Sequence, residues 1–572
     1  MIQKNLQAYI ADTCRALGIE TSVISLEQPS DMSHGDYSTN IAMVHAKTRG
    51  VNPKALAEQI TEEMNKNLPV YITQVQVAGP GFINFTLSSE YFKDLVDRIC
   101  AEKEVFGKST IHSGKKILVE HSSPNLFKPF HIGHMMNNAI GESLAQLMRF
   151  SGAEVETMSF PSDISLGVAK AIAKTILHFS FYEEAINFLD SEHSLENKIN
   201  WLGQAYVEGV KRYDEDESIH ARVKEIADNL YAGKPSAELD IFLKCKKINI
   251  EYFEKVVARL GSRFDSYIYE SEAGVCGKEL VVKNTPAIFT ESDGAIVYIP
   301  EESKKHLNTA VFINSQGNPT YEAKDLGLLD LKFERVSPDL SLFVTDSQQI
   351  PHFQIVLDAA EKINQTWAQK SVHVHHGRMT FKGQKMSSRL GGVPLVTDIL
   401  DTIAEEVRTR STHGDVEEIL DSVSIGAIKF AILRAKPGQH INFDPETSLS
   451  FEGDSGPYLQ YTHARIQSII AKAQPLNIEP LYQSEQTLSD VERTLLHFPE
   501  IVERAIAEYA PQHIVTYLLE LARTFNAFYA GNQIIDASDI QTSSHRLALA
   551  QTTAIVLKNG LTLLGIKAPE RM

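Results

Sequence analysis

Two histidines one helical turn apart, His131 and His134, follow a proline-containing loop and open an apolar-periodic run, HIGHMMNNAIGESLAQLMRFSG, that ends at Gly152. Imidazole N–H groups donate hydrogen bonds, and Lys128 sits three residues upstream as a cation. Gly133 removes a side chain between the histidines, so a flat ring can approach the backbone. At about 100° per residue, His131, His134, Asn138 and Glu142 share one stripe, and Ile132, Met136, Ile140, Leu144 and Leu147 lie opposite. The expectation is a helix whose apolar face packs on a sheet while both imidazoles point outward at its start. Free N–H groups and a partial positive charge at that terminus add to an anion site. The chemistry this suits is the clamping of a triphosphate.

A second loop, FKGQKMSSRLGG (381–392), is rich in glycine and serine and carries Lys385. Such a loop suits mobile phosphate binding. The elements that must position both loops are legible as strand–loop–helix units. KKILV (115–119) is a continuous apolar run, as expected of a strand buried on both faces. SLFVTDSQQIPHFQIVLDAAEKI (341–363) repeats strand, loop and helix, with Pro351 at an early helix position, and SVHVHH (371–376) is a third strand. Alternating strands and helices imply an α/β, doubly wound Rossmann-type domain whose ligands sit beyond the carboxyl ends of the strands. Residues 165–260 read as a charged helical insertion, and the signal after about 400 is helical to the end.

The chain has 572 residues and a net charge of −18, which points to several domains and excludes a uniformly cationic nucleic-acid binder but not a basic groove. Acidic stretches such as YDEDES (213–218) carry part of that charge. The four cysteines, Cys14, Cys100, Cys245 and Cys276, form no CxxC pair, so no metal site is expected and a reducing cytoplasm suits them. The first residues show no signal peptide, and no apolar run reaches the roughly 20 residues of a membrane span. There is no internal repeat.

The string Pro124, Asn125, Leu126, Phe127, Lys128, Pro129, Phe130, His131, Ile132, Gly133, His134 resembles the HIGH signature of class I aminoacyl-tRNA synthetases, in the SPNxxKPFHxGH form of the arginyl-tRNA synthetase family. The 381–392 loop resembles the KMSKS loop: Lys385, Met386 and Ser387 fit, Ser388 stands where the second lysine belongs, and Arg389 follows. In that family the lysine before HIGH, here Lys128, is thought to replace the missing one.

The resemblance implies ATP as substrate, held by His131, Gly133, His134, Lys385, Met386, Ser387 and Ser388, with Mg²⁺ on the nucleotide. It implies arginine contacts at Glu120, Asn125, Tyr321, Asp325 and Gln349, with Asp325 and Glu120 toward the guanidinium and Asn125 toward the main-chain end. A guanidinium site needs planar, preferably bidentate, carboxylates. The segment SFPSDISLG (159–167) departs from the family's NYxGDWG; Asp163 and Gly167 align, and its contacts stay open.

The resemblance further implies four regions. Residues 1–108 form an α+β domain gripping the transfer-RNA elbow through Phe82 and Asn84, and 109–400 the catalytic domain. Residues 401–450 form a helical connection, and 451–572 an all-α anticodon-binding domain of DALR type, with Tyr529 and Met572 shaping the anticodon pocket. The partners would be tRNA-Arg, L-arginine and ATP, the protein a cytoplasmic monomer, and activation dependent on bound transfer RNA. Two other readings stay open on sequence: a small-molecule nucleotidyltransferase with a related HxGH clamp, and a noncatalytic RNA-binding relative.

Overall fold

The computed structural model describes residues 2–21, 23–29, 31–128, 130–179, 182–304, 306–381, 396–410 and 417–572. Near the N-terminus β1 (Tyr37–Thr39), β2 (Ile72–Ala78) and β3 (Phe82–Leu87) form an antiparallel sheet in the order β1-β3-β2. The β2–β3 hairpin closes on the pair Ala78–Phe82, and Gly79 and Gly81 supply the positive φ values, 51° and 135°, that the tight turn requires. Ile83, Phe85 and Leu87 point into a core shared with the helices Ile2–Ala16, Pro53–Asn65 and Ser89–Glu102.

The catalytic half is built on a five-stranded parallel sheet. Its first strands are β4 (Lys116–Glu120), β5 (Glu154–Ser159) and β6 (Ser266–Tyr267). A separate antiparallel sheet follows, β7 (Phe289–Ser292), β8 (Ala295–Tyr298) and β9 (Ala310–Ile313), and then β10 (Leu340–Asp346) and β11 (Ser371–His376) return to the parallel sheet. The order is β11-β10-β4-β5-β6. Ile117, Leu118 and Val119 of the central strand are wholly buried, as a continuous apolar run on a two-sided sheet should be. Chain order reverses between β4 and β10, so the crevice beyond their carboxyl ends is the topological switch point.

Three parts of this differ from what the sequence pattern leads one to expect. β5 and β6 were not expected, and neither was the β7–β9 sheet. The last had a signal: a two-residue Asp293-Gly294 turn, with φ values of 48° and 78°, followed by the β-favouring run Ala295–Tyr298. Among the described residues between β5 and β6 lie five α-helices, Leu166–His178, Tyr182–Asp190, Leu195–Glu215, His220–Tyr231 and Ala237–Arg259, whose apolar faces form a core of their own. Among the described residues the C-terminal part is helical apart from β13 (Ile441–Phe443), which pairs in parallel with β12 (Met379–Phe381).

The Ile132–Phe150 helix corrects the expected stripe. Asn138 and Glu142 are buried, at 0% and 4% exposure, because the helix is covered on both sides. One side packs on the sheet, with Leu144, Leu147 and Met148 against Ile117 and Val344. The other meets C-terminal elements: Ser143 donates to Leu563 O at 2.8 Å, and the buried ammonium of Lys429, beside Glu142, donates to Gly565 O at 2.8 Å.

Gly141 is the closest approach in this packing. A Cβ there would lie 2.2 Å from Cγ of His121, a wholly buried ring whose pKa burial pushes down to about 3. Gly141→Ala gains helix propensity, but the body of a buried imidazole has no room to yield. The expected net loss is about 1–3 kcal/mol of stability, read as a lower urea midpoint.

Candidate active site

The signature turn is held by its own histidines. His131 is the N-cap of the Ile132–Phe150 helix, and its Nδ1 accepts the Gly133 N–H at 3.1 Å. The His134 Nδ1 accepts the His131 N–H at 3.2 Å. This is a reciprocal capping box made of two imidazoles. Because both Nδ1 atoms are acceptors, each neutral ring carries its proton on Nε2. The rings stack, with centroids 3.9 Å apart and planes 16° from parallel, so the two Nε2–H donors belong to one rigid unit.

Burial, then Lys128, holds His131 below the usual histidine pKa; burial, then His131 and Lys128, holds His134 well below it. Both rings are therefore neutral donors at physiological pH. The expectation of outward-pointing rings beside free helix N–H groups is corrected here. Both rings are half-buried, and the N–H groups of Gly133, His134 and Met135 go to His131, so the two Nε2–H groups are donors that a ligand can take.

The loop before the turn is fixed from two directions. Ser162 N donates to Pro124 O at 2.9 Å and Leu126 N to Ser162 O at 3.0 Å, so Asn125 and Ser162 make a short parallel bridge. Phe127 is buried in the left-handed region, φ 66°, and its N–H is taken by the Asn249 side chain at 2.9 Å. A bulky residue persists there only when its surroundings over-determine it. Asn125 and Lys128 are exposed, and Lys128 Nζ lies over the Tyr206 ring, 5.2 Å from its centroid. Ile132 and Phe130 are buried beneath the turn. Pro129, Lys385, Met386, Ser387 and Ser388 lie outside the described residues. The N–H of Val396 is bonded to Phe130 O at 3.0 Å, one residue from His131.

Asn137 was not singled out by sequence, yet it sits at the switch point. Its Oδ1 accepts Ser122 N–H at 2.9 Å after β4, and its Nδ2 donates to Val344 O at 2.7 Å on β10. It thus ties the signature helix to the two strands between which the chain reverses. Its only signal was an amide inside an apolar helical pattern, which reads equally well as a solvent-facing position.

The carboxylates lie on the opposite wall of the crevice. Glu120 ends β4, is 7% exposed, and forms an ion pair with the buried Lys332 of the Tyr321–Arg335 helix. Asp325, on the same helix, accepts from His352 Nε2 at 2.5 Å, and His352 Nδ1 lies 3.6 Å from Glu322. Burial disfavours charge on His352, but Asp325 and Glu322 outweigh it and raise its pKa to about 9. Glu120, Asp325, Lys332, Phe343 and Phe353 line one cavity of about 10 Å³, room for about one water. Tyr321 is 65% exposed at the start of its helix, and Gln349 is exposed in the turn after β10.

The open segment 159–167 also acquires contacts. Asp163 is fully buried; it pairs with Lys246 Nζ at 2.7 Å and accepts from Ser271 N at 2.9 Å and Ser271 Oγ at 2.8 Å. Ser162 donates to Glu270, which also takes Lys324 Nζ at 2.9 Å. Gly167 leaves room for Tyr206, whose hydroxyl would be 2.4 Å from a Cβ there. The segment is thus a buried ionic brace between loop, insertion and the Tyr321–Arg335 helix.

Of the residues expected at transfer RNA, Phe82 is half-buried in the β2–β3 hairpin. Asn84 is 4% exposed and accepts from Ser38 Oγ at 2.7 Å, so its side chain is a brace inside the small sheet and not a surface contact as it stands. Tyr529, 38% exposed on the Gln512–Gly531 helix, stacks with Phe525. Arg465 lies over Tyr529 at 5.7 Å and over Tyr461 at 4.7 Å, an aromatic–guanidinium platform. Met572 packs on the cluster that includes Phe130, Met135 and Ile428, held there by a tail whose Lys567 O and Pro569 O are bonded by Gln460 and His463.

Three family models match successive parts of the chain. Residues 2–87 match the family described as arginyl tRNA synthetase N terminal domain, 95–444 the catalytic domain of class I (R) tRNA synthetases, and 459–572 the DALR anticodon binding domain. The chain is 28% identical to the arginine–tRNA ligase of Treponema denticola over 100% of both chains. It is 30% identical to that of Oenococcus oeni over 96% of this chain and 95% of the other. The Thermus thermophilus arginyl-tRNA synthetase structure superposes with a TM-score of 0.80 at 25% identity, covering 100% of each chain. With the class I catalytic family spanning residues 95–444 of 572, around a switch-point crevice whose signature turn is capped by its own two imidazoles, the chain belongs to the arginyl-tRNA synthetases.

Proposed function

We propose that this arginine–tRNA ligase activates arginine in the crevice between the signature turn and the Glu120–Asp325 wall, and then passes it to tRNA-Arg. The carboxylate of arginine attacks the α-phosphate of ATP in line, giving arginyl-adenylate and pyrophosphate. A terminal ribose hydroxyl of the transfer RNA then takes the arginyl group. No side chain is asked for covalent chemistry; positioning and charge stabilisation suffice. The observation that carries this reading is the reciprocal histidine cap. It fixes two neutral Nε2–H donors on one rigid unit at the switch point, where a triphosphate can be held without titration.

His131, His134, Lys128 and Lys385 would hold the phosphates, with Gly133, Met386, Ser387 and Ser388 beside them. Mg²⁺ would arrive on the nucleotide: among the described residues no cluster of three metal-ligating side chains exists, so no step is assigned to a resident ion. Asp325 would take the guanidinium charge, with Glu120, Tyr321 and Gln349 completing the pocket and Asn125 holding the main-chain end. Glu120 is already neutralised by Lys332, so its part is that of a hydrogen-bond acceptor. Phe82 would meet the elbow, and Tyr529, with Arg465 and Tyr461, would stack on unpaired anticodon bases. Among the described residues no helix is long and apolar enough to cross a membrane, and the reading includes a monomer working in the cytoplasm.

Arginine-dependent ATP–pyrophosphate exchange, with and without tRNA-Arg, tests the proposal. Exchange with arginine alone among amino acids, and only with transfer RNA present, is expected. Exchange without transfer RNA would keep the activity and remove the coupling; none under either condition, from a folded ATP-binding protein, would favour a nucleotidyltransferase. Lys128 is expected to leave the Tyr206 face and reach the phosphates. Lys128→Ala should then cost about 10²-fold in exchange rate. An unchanged rate would show that Lys128 does not replace the missing lysine of the second loop.

A further inference from the structure

The wall that should receive a guanidinium is already satisfied by internal cations. Lys332 is buried under Glu120, with its ammonium 5.4 Å from the Phe343 ring centroid, and cannot leave without stranding a charge. His352 differs. Its side chain is 21% exposed, and it is the third residue of the Ile350–Ile363 helix, where the helix dipole disfavours a cation. What keeps it charged comes from the facing helix: Asp325 at 2.5 Å and Glu322 at 3.6 Å. From β11, His373 faces it as a neutral ring, its pKa pushed to about 4 by burial, and Phe353 on its own helix meets it edge-on at 5.0 Å. The cavity lined by Glu120, Asp325 and Lys332 is about 10 Å³, and the one carboxylate on it with a partner outside that lining is Asp325, through His352.

We propose that His352 is a built-in stand-in for the substrate guanidinium. It occupies Asp325 in the empty enzyme, and arginine enters by exchanging one planar cation for another at that carboxylate. This rests on the reading that Asp325 receives the guanidinium. Once displaced, His352 has lost its nearer partner and faces a like charge, so its proton passes from nitrogen to solvent. Glu120, Glu322, Asp325, Lys332 and His352 together carry one net negative charge before the exchange; with His352 neutral they carry two, and the bound guanidinium restores the total to one. The exchange also selects. Neutral citrulline has no charge with which to evict an imidazolium. Lysine offers a point cation where the guanidinium offers a bidentate fork.

Calorimetric titration of the full-length chain with L-arginine, in two buffers of different ionisation enthalpy, counts the protons. At about pH 8 binding should release about one proton. The dissociation constant should fall by up to about tenfold per pH unit between about pH 6.5 and 8, because the free site binds a proton that the occupied one does not. His352→Gln should bind arginine with neither proton release nor that slope; any contribution of arginine's own amino group is common to both proteins. No proton release from the wild type, with Asp325→Asn losing arginine, would overturn the exchange and leave the Asp325 reading standing. Arginine binding unaffected by Asp325→Asn would remove that reading and the exchange with it. The wild-type proton count needs no variant, so it decides even if His352→Gln does not fold.

Discussion

Asp325→Asn raises the arginine KM by about 10²- to 10³-fold and leaves the KM for ATP near its starting value. The argument is one of charge. Glu120 is compensated by Lys332 within the fold, so the carboxylate of Asp325 is the one whose compensating cation can be exchanged for that of the substrate. Truncating one partner of a buried, hydrogen-bonded charge pair costs about 2–5 kcal/mol, which brackets the expected change. The variant should fold, since asparagine keeps an acceptor for His352 Nε2 and Glu322 still holds its Nδ1 side. The check is exchange kinetics over an arginine titration, with thermal unfolding alongside. A KM within about threefold of wild type, in a variant with an unchanged melting curve, would remove Asp325 from the guanidinium site.

What the sequence displayed, and what it hid, follows from the range of the interactions involved. Ile117 to Val119 are apolar in succession because both faces of β4 are covered, and that is readable locally. The histidine turn was readable because residue types and spacing of one helical turn suffice to define it. β5 was hidden because EVETMS mixes exposed and buried positions without a clean alternation, and β6, with two residues, has no period at all. Asn138 and Glu142 fell on a stripe that looked solvent-facing, because a helical wheel assumes one wet side. Here the C-terminal helices cover that side, and a polar stripe became a buried contact with Ser262 and Lys429.

The pairing of the carboxylates could not have been found this way. Glu120 and Lys332 come from a strand and a later helix, and His352 meets Asp325 only because β10 returns the chain beside the Tyr321–Arg335 helix. Neither contact leaves a trace in local pattern, yet together they decide which acid is free to change partners. The departure of SFPSDISLG from the family's usual string was legible as a departure but not as a structure. Its Asp163, Lys246 and Ser271 contacts place a fully buried aspartate inside an ionic brace.

The histidine cap separates structure from chemistry in a way that two substitutions can resolve. In His134→Asn the side-chain oxygen can replace Nδ1 as acceptor for the His131 N–H, but nothing reaches the place of Nε2–H. In His134→Gln the amide nitrogen can reach that place, and the cap is lost. If the ring's task is to donate to phosphate in the transition state, His134→Asn should lower the exchange rate by about 10²- to 10³-fold with an unchanged unfolding midpoint. His134→Gln should keep more of the rate and lose about 1 kcal/mol of stability. Because burial and Lys128 hold both rings neutral, the loss in His134→Asn should be constant from about pH 6.5 to 8; a loss that grew on one side would mean the ring acts through a proton it gains or gives. The reverse order, with His134→Asn active and His134→Gln slow in proportion to its instability, would make the two imidazoles a helix cap and no more. The phosphate contacts would then have to come from Lys128 and the second loop alone.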